Sequence, residues 1–284
     1  MRFSSVSRLA ASLSAVFLAV PAFAADLPSS TITPAFTAPP EFTVIIGVGP
    51  EVTPSFPGAK SFIVLPSVHV AYLRPGEHDF FYSPDDSFDI AILNTGIFRA
   101  GPAGNFVNRR GLSGGNGQFN GLPNVDDSVE LGGFAEIWPL QGHLRIRGEI
   151  LKAVSGYDGL VGTIGADLIG RFGPFQLAAG PRVKFGDQRF ADSYFTITPA
   201  AAAINGLVTP YQATGGLTSA GLFASARYDV TQNIAATVFG GWDYLESSVG
   251  ASPVATVLGN RNQFTGGVTL SYAFGFKGFG VFGY

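Results

Sequence analysis

Apolar and polar residues alternate along most of the chain with a period of two. In residues 144–150 the even positions are apolar or glycine, whereas the odd positions include Arg145 and Arg147. Successive side chains of a β-strand point to opposite faces, so this pattern predicts a strand with one apolar and one ionic face. The same alternation recurs in residues 175–185 and 262–276.

Read in this way, with breaks at Gly, Pro, Asn and Asp, the chain is predicted to contain about ten strands. They span residues 42–52, 61–73, 79–99 with an interruption near 83–86, 128–138, 143–153, 159–172, 174–185, 216–229, 233–246 and 262–276. Splitting 79–99 at Pro84 and taking one further strand from 186–215 gives an alternative count of twelve.

The predicted connections differ in length according to their position. Short ones follow the even-numbered strands, at residues 74–78, 139–142, 173 and 230–232. The long connections all follow odd-numbered strands, at residues 100–127, 186–215 and 247–261. Two short connections, near 53–60 and 154–158, also follow odd-numbered strands. Short periplasmic turns and long extracellular loops are typical of bacterial outer-membrane barrels, in which an even strand number places both termini in the periplasm.

An open sheet edge in hydrocarbon leaves N–H and C=O groups unpaired, at several kcal/mol each. The first predicted strand must therefore pair with the last. The sequence predicts an all-β fold, a closed antiparallel transmembrane β-barrel over residues 42–284, with periplasmic termini and long extracellular loops.

The N-terminus predicts export. Arg2 and Arg8 precede the apolar run 9–20, and an A-x-A cleavage pattern follows at 22–24, so residues 1–24 are interpreted as a secretory signal peptide. The apolar run is shorter than the ~20 residues that a spanning helix needs. Residues 25–41, rich in Pro, Ser and Thr, are predicted to form a disordered periplasmic leader. The predicted location is the cell outer membrane, with its lipid in contact with the barrel.

Charged residues of both signs occupy the predicted inward positions of neighbouring strands. A barrel of about ten strands is only slightly wider than an eight-stranded barrel, which side chains already fill. We therefore expect a salt-bridged and largely occluded lumen, whose charged residues are structural because removing one leaves its partner unpaired. The predicted network comprises Glu130, Glu136, Arg145, Arg147, Glu149, Asp167, Arg171, Arg182, Lys184, Arg227 and Asp243, and His69 also points inward.

Aromatic residues at the predicted strand ends suggest interfacial girdles. Trp138, Phe172, Phe175 and Tyr228 lie beside the short turns, and Trp242 and Tyr244 lie near the opposite end.

Composition supports a surface that faces lipid. The 284 residues are only 13% charged, about half of the ~25% of a typical soluble protein, and 38 of them are Gly. A formal net charge of −3 gives no basic excess, which argues against nucleic acid as a partner. The absence of Cys excludes disulfides, thiol nucleophiles and Cys-ligated metals.

The sequence contains no convincing catalytic or cofactor site. A G-x-S-x-G pattern at 111–115 lies among Gly, Asn and Gln rather than between a strand and a helix, as a nucleophile elbow requires. The three histidines, His69, His78 and His143, are scattered, which argues against a catalytic base or a transition-metal site. The acidic pairs at 85–86 and 126–127 are interpreted as solvated turns rather than Ca²⁺ ligands. We therefore expect a protein that is not an enzyme and needs no cofactor.

Several short stretches carry a family resemblance. They are VGP at 48–50, PSFPGA at 54–59, VDDSVELGGF at 125–134, GPR at 180–182, YFTITPAAA at 194–202, SPV at 252–254, and NRNQFTGG at 260–267 with YAF at 272–274. In these stretches the chain resembles the MipA/OmpV family of outer-membrane proteins. Family members usually end near the tyrosine-x-phenylalanine of the last strand, whereas residues 275–284 follow here. Which end is read for membrane insertion is therefore open.

The resemblance implies a non-enzymatic scaffold for peptidoglycan (murein) synthesis. The prototype of the family holds a lytic transglycosylase near a penicillin-binding protein at the inner face of the outer membrane. The partner surface would then be the short periplasmic turns and the leader, and no binding residues carry over. Two other functions remain open, a surface adhesin or receptor acting through the long loops and a narrow channel. The sequence does not predict an oligomeric state.

Overall fold

The computed structural model describes residues 42–73, 81–110 and 118–276. The predicted signal peptide and leader, the turn at 74–78 with His78, the G-x-S-x-G pattern and the tail beyond Phe276 lie outside the described residues.

The described residues form a predominantly β structure, as predicted. Its strands are β1 (Phe42–Pro54), β2 (Phe62–Leu73), β3 (Phe88–Asp89), β4 (Leu93–Asn94), β5 (Phe98–Val107), β6 (Ser128–Leu140), β7 (Leu144–Ala153), β8 (Leu160–Phe172), β9 (Phe175–Gly186), β10 (Gly216–Asp229), β11 (Ile234–Leu245) and β12 (Asn262–Phe276). Twelve is the alternative count, although two of these strands have only two residues.

All neighbouring strands pair antiparallel, in the order β2-β1-β12-β11-β10-β9-β8-β7-β6-β5-β3, and β4 also pairs with β5. The predicted pairing of the first long strand with the last is confirmed, with Thr43 opposite Gly275 and Glu51 opposite Gly267. Within the described residues no strand ladder joins β2 to β3, β4 or β5. The barrel is therefore nearly closed rather than closed, and we call this gap the seam.

The prediction of one interrupted strand over 79–99 is wrong. Residues 81–87 form no strand, because a turn in which Asp86 N donates to Ser83 O (2.9 Å) directs them into the barrel interior. The wall resumes with β3 and β4, and most of β5 falls in the predicted loop 100–127. Gly101 and Pro102 are residue types at which strands commonly break, yet the Pro102 carbonyl accepts from Ile90 N (3.2 Å) within the wall.

The predicted loops 186–215 and 247–261 contain helices, and no extra strand lies in 186–215. Helix α1 (Gln188–Phe195) begins after Asp187, whose side chain accepts from Phe190 N. Helix α2 (Pro199–Asn205) begins with a Thr198 cap and a proline in its first turn, both favourable at a helix N-terminus. Helix α3 (Ser247–Ala251) and a π-helical turn (Val254–Leu258) follow in the second loop.

Five connections meet at one end of the barrel, and we call them the cap. Their described residues are 55–61, 108–110 with 118–127, 154–159, 187–215 and 246–261. Tyr194 and Phe195 are completely buried at its centre. The cap core also contains Phe56, Phe119, Leu122, Tyr157, Phe190, Ile197, Val249, Val254 and Leu258. The cap is therefore a packed layer over this end of the barrel.

At the opposite end, which we call the turn end, three short connections join long strands within the described residues. They are residues 141–143, 173–174 and 230–233. The outward face between the two ends is apolar. Its exposed side chains include Val48, Val64, Val70, Leu131, Ile150, Ile164, Leu168, Leu177, Leu222, Val238, Val268 and Leu270.

Candidate functional site: the plugged lumen and its cavity

Residues 81–87 cross the barrel interior, and we call them the plug. The Phe81 ring packs edge-on against Trp138, with 6.3 Å between centroids. Asp85 and Asp86 follow, and both form ion pairs with arginines of the wall. The prediction that the 85–86 pair is a solvated turn is therefore wrong, because the lumen arginines bind both carboxylates.

Arg145 on β7 anchors the plug. Its Nη1 and Nη2 donate to the two oxygens of Asp86 at 2.6 and 3.0 Å, a bidentate pair. Its Nε and Nη2 donate to Asp167 Oδ2 at 2.9 and 2.7 Å. The guanidinium also lies 4.9 Å from the centroid of the Phe81 ring. Because Arg145 is only 2% exposed, its charge depends on these partners rather than on water.

Arg147, two residues along β7, binds a second set of carboxylates. Its Nη1 lies 3.2 Å from Glu136 Oε2 and its Nη2 lies 2.8 Å from Asp89 Oδ2. Its Nε donates to Glu149 at 2.8 Å. Glu136 in turn accepts from Arg99 Nη1 at 2.8 Å. The network therefore links the neighbouring strands β3, β5, β6 and β7 on the inner face of the wall.

Arg182 on β9 completes the anchoring of the plug. Its Nε lies 2.7 Å from Asp85 Oδ2, and its Nη2 lies 2.7 Å from Asp167 Oδ1. Asp167 thus joins Arg145 to Arg182. Gly165 makes this possible, because a Cβ there would lie 2.9 Å from Cδ of Arg182.

The structure places the remaining predicted lumen residues apart from this network. Lys184 pairs with Asp243 at 2.7 Å, nearer the cap. Arg227 pairs with Asp229 of its own strand at 2.8 Å. Glu130 forms no ion pair with any described residue; it accepts from Tyr157 Oη and from Asn105 Nδ2. Arg171 is exposed and donates to the Gly142 carbonyl at the turn end.

The predicted girdle is only partly observed. Phe172, Phe175 and Tyr228 are exposed at the turn end, and Trp242 is exposed near the cap. Trp138 is 6% exposed and points inward, where its Nε1 donates to Glu136 Oε1 at 3.1 Å. Its girdle assignment is wrong because the parity of β6 places it on the same face as Glu136.

His69 lies beside the plug rather than beside a nucleophile. Its ring stacks on Tyr82 with 4.4 Å between centroids, and its Nδ1 has no hydrogen-bond partner. Gly47 on β1 leaves the space that the imidazole occupies, since a Cβ there would lie 1.7 Å from its Cε1. Among the described residues no group of three or more His, Cys, Asp or Glu could hold a metal ion.

Arg110 holds the cap together from within. Its guanidinium donates to the carbonyls of Tyr194, Pro123 and Ser193, and it lies 5.8 Å from the Phe56 ring centroid. Burial lowers the pKa of Arg110 to about 10, which leaves it charged at neutral pH. A buried cation bound to carbonyls of separate segments fixes their relative positions.

A cavity of about 650 Å³ lies between the plug and the cap. Charged side chains of the plug and wall line one part, namely Glu51, Asp85, Arg147, Arg182, Lys184 and Asp243. Apolar side chains of the cap region line another, namely Phe56, Phe190, Phe195, Leu245 and Val249. The cavity is therefore amphipathic.

Sequence analysis missed four members of the network, Asp85, Asp86, Asp89 and Arg99. Their inward or outward direction does not follow from alternation, because the strand predicted over 79–99 is interrupted near residues 83–86 and the structure divides it into the plug, β3 and β4. The adjacent acids were nonetheless a usable indication, since inward arginines on β7 and β9 need carboxylates.

No helix among the described residues has the length and apolar character needed to cross a membrane.

Comparison with known proteins gives a family match. The family model described as MltA-interacting protein MipA matches residues 46–274. No curated protein sequence matches the chain significantly.

Similar solved structures include the COG4313 outer membrane channel from Pseudomonas putida F1, with 9% identity, a TM-score of 0.40, and coverage of 83% of this chain and 96% of that chain. The loop L8 deletion mutant of OmpT, an outer membrane protein of Vibrio cholerae, has 6% identity, a TM-score of 0.35, and coverage of 82% and 98%. The outer membrane protease OmpT from Escherichia coli has 11% identity, a TM-score of 0.27, and coverage of 83% and 97%.

The family match extends from within β1 to within β12, so it covers the barrel wall, the plug and the cap together. The observed architecture is a nearly closed antiparallel barrel with an apolar outer face. The chain therefore belongs to the MipA family, as an outer-membrane type of β-barrel.

Proposed function

We propose that this protein is a non-enzymatic outer-membrane barrel that acts as a scaffold for peptidoglycan-remodelling enzymes. The observation that carries the proposal is the family match over residues 46–274, since the family description names an interaction with MltA. A lytic transglycosylase is the proposed first partner, and a penicillin-binding protein is the proposed second.

Placement in a membrane is supported by the outward face of the strands. Val64, Leu168 and Leu177 are 67%, 67% and 44% exposed, and burial of such side chains in lipid is favourable at roughly 25 cal/mol per Å². Phe172, Phe175 and Tyr228 supply an aromatic belt at the turn end, where strands meet the interface.

We further propose that the turn end faces the periplasm, with an exported N-terminal leader on the same side. Short connections at this end fit the usual asymmetry of outer-membrane barrels. The partner surface would then comprise the turns 141–143, 173–174 and 230–233, whose exposed polar groups include Gln141 and Gln232.

The lumen favours a scaffold over a channel. The plug is held by at least two arginines, and the cap covers the other end with a buried core. An ion crossing the barrel would have to displace both. A scaffold needs only a stable anchor and an accessible face.

Pull-down from solubilised envelopes tests the scaffold function. Replacing 141–143 and 230–233 with Gly-Ser sequences of equal length should reduce recovery of lytic transglycosylase. A matched control changes exposed cap residues, Ile204→Ser with Leu207→Ser, and should leave recovery unchanged. Heat-modifiable mobility on gels confirms that each variant forms its barrel. Equal recovery with the turn variants and the wild type would contradict the proposal.

A surface receptor is the second candidate. The observation that favours it is the exposure of Ile204 and Leu207 on the cap, at 69% and 63%. If the protein is a receptor, the cap variant should lose binding to the ligand or host surface, whereas the turn variants should retain that binding.

A further inference from the structure

The cavity between the plug and the cap reaches the barrel wall at the seam. Residues 65–68 of β2 line it from one edge, and residues 105–108, in and after β5, line it from the other. Strand β2 pairs with β1 on the side away from the seam. On the other side of the seam, β3 pairs with β5 only as far as Gly104, which lies opposite Phe88. At this level no backbone ladder within the described residues closes the wall.

The rim of this opening is apolar on its outer side. Val68, Phe88 and Phe106 are 40%, 53% and 56% exposed, and all three line the cavity. These three side chains point outward from the wall. They can line the internal cavity because the cavity opens through the wall at this point. A molecule with an apolar chain can therefore pass from lipid into the cavity without exposing that chain to water.

The described parts of the plug and the cap obstruct the two aqueous routes. Asp85 and Asp86 of the plug are bound to the wall on the side of the turn end. Phe190 and Phe195 of the cap cover the opposite side, where both belong to the buried cap core. The seam is thus the most direct route into the cavity among the described residues.

One carboxylate in the cavity has no partner among the described residues. Arg182 is paired with Asp85, and Lys184 is paired with Asp243 Oδ2. Glu51 on β1 lines the same cavity, and no salt bridge or side-chain hydrogen bond is found for its carboxylate among the described residues. An unpaired carboxylate away from bulk water attracts a cation and repels an anion.

We propose that the cavity binds a single-chain amphiphile with a protonated amine head group, taken up from the membrane through the seam. The amine would lie near Glu51, and the chain would lie against Phe190 and Phe195 of the cap. The volume of about 650 Å³ falls within the ~300–1,000 Å³ of small-molecule sites. This site is independent of the proposed scaffold function, which uses the turn end.

Calorimetric titration tests the site. The full-length mature protein in phosphatidylcholine nanodiscs is titrated with dodecylamine, and the heat from empty nanodiscs is subtracted. We expect saturable binding of one amine per chain. Dodecyl sulfate, which has the same chain and the opposite charge, should give no saturable signal. Lauroyl lysophosphatidylethanolamine carries the same ammonium beside a phosphate, and its affinity relative to dodecylamine identifies which kind of amine is preferred.

Two variants locate the site. Glu51→Gln keeps the shape of the side chain and should weaken dodecylamine binding at least about tenfold. Ser67→Trp, at an inward position on the β2 edge, should obstruct the opening and weaken binding by a similar factor. The matched control is Asp158→Asn, which removes an exposed carboxylate outside the cavity and should change nothing. Equal binding of dodecyl sulfate, or unchanged affinity in Glu51→Gln, would overturn the proposal.

Discussion

At the scale of single residues, the protein concentrates its charge in the lumen. Arg145, Arg147 and Arg182 are at most 5% exposed, and each touches at least two carboxylates. Removing one partner of a buried pair leaves an uncompensated charge, which costs far more than the pair itself contributes. The residues of this network therefore control the stability of the plugged barrel more strongly than exposed charges do.

Arg145→Ala should lower the free energy of unfolding by about 3–5 kcal/mol, because Asp86 and Asp167 lose their common partner. Urea unfolding in lipid vesicles, followed by tryptophan fluorescence, measures the change. The control is Arg189→Ala, whose exposed pair with Asp158 should be worth no more than about 1 kcal/mol. Equal losses in the two variants would contradict a buried network.

At the scale of elements, strand register decides which side chains face lipid. The two tryptophans of the chain lie on opposite faces of the wall. Trp138 on β6 points inward beside Glu136, and Trp242 on β11 is 38% exposed on the outer face. A register shift of one residue in either strand would move the tryptophan of that strand to the opposite face of the wall.

Brominated lipids quench tryptophans that they contact, so they test this register. In Trp138→Phe, the remaining Trp242 should be quenched strongly in vesicles of brominated phosphatidylcholine. In Trp242→Phe, the remaining Trp138 should be quenched little and should emit at shorter wavelength. The reverse pattern, or equal quenching, would show that the assigned faces are wrong.

Most of the wall was predictable from sequence because period-two alternation follows directly from strand geometry. β7 and β9, for example, carry their arginines on the predicted face. The plug and β5 were not predictable, because Pro84 and Pro102 interrupt the alternation of apolar and polar residues. Only the ion pairs with β7 and β9 determine the path of the plug through the lumen. The helices of the cap were missed because they have only five to eight residues each and lie in segments that the strand pattern assigns to loops. Of the candidate site, the wall residues could be predicted, whereas the plug acids that pair with them could not.

At the scale of the whole molecule, three layers succeed one another along the barrel axis. The turn end is short and polar, the plug fills the lumen with ion pairs, and the cap covers the opposite end with an apolar core. This arrangement suits a membrane anchor that works through its faces. It is poorly suited to a pore, because the arginines of the lumen are already bound to carboxylates of the wall and the plug.

Conductance across planar bilayers tests the occluded lumen most directly. Purified wild-type protein, with insertion verified by protease protection, should produce no discrete conductance steps at neutral pH. Arg182→Gln, which removes the positive charge that pairs with Asp85, serves as the comparison. Silent bilayers with the wild type are the predicted result. Discrete steps whose size or ion selectivity changes with Arg182→Gln would show that ions pass the network, and would contradict the account of a plugged barrel.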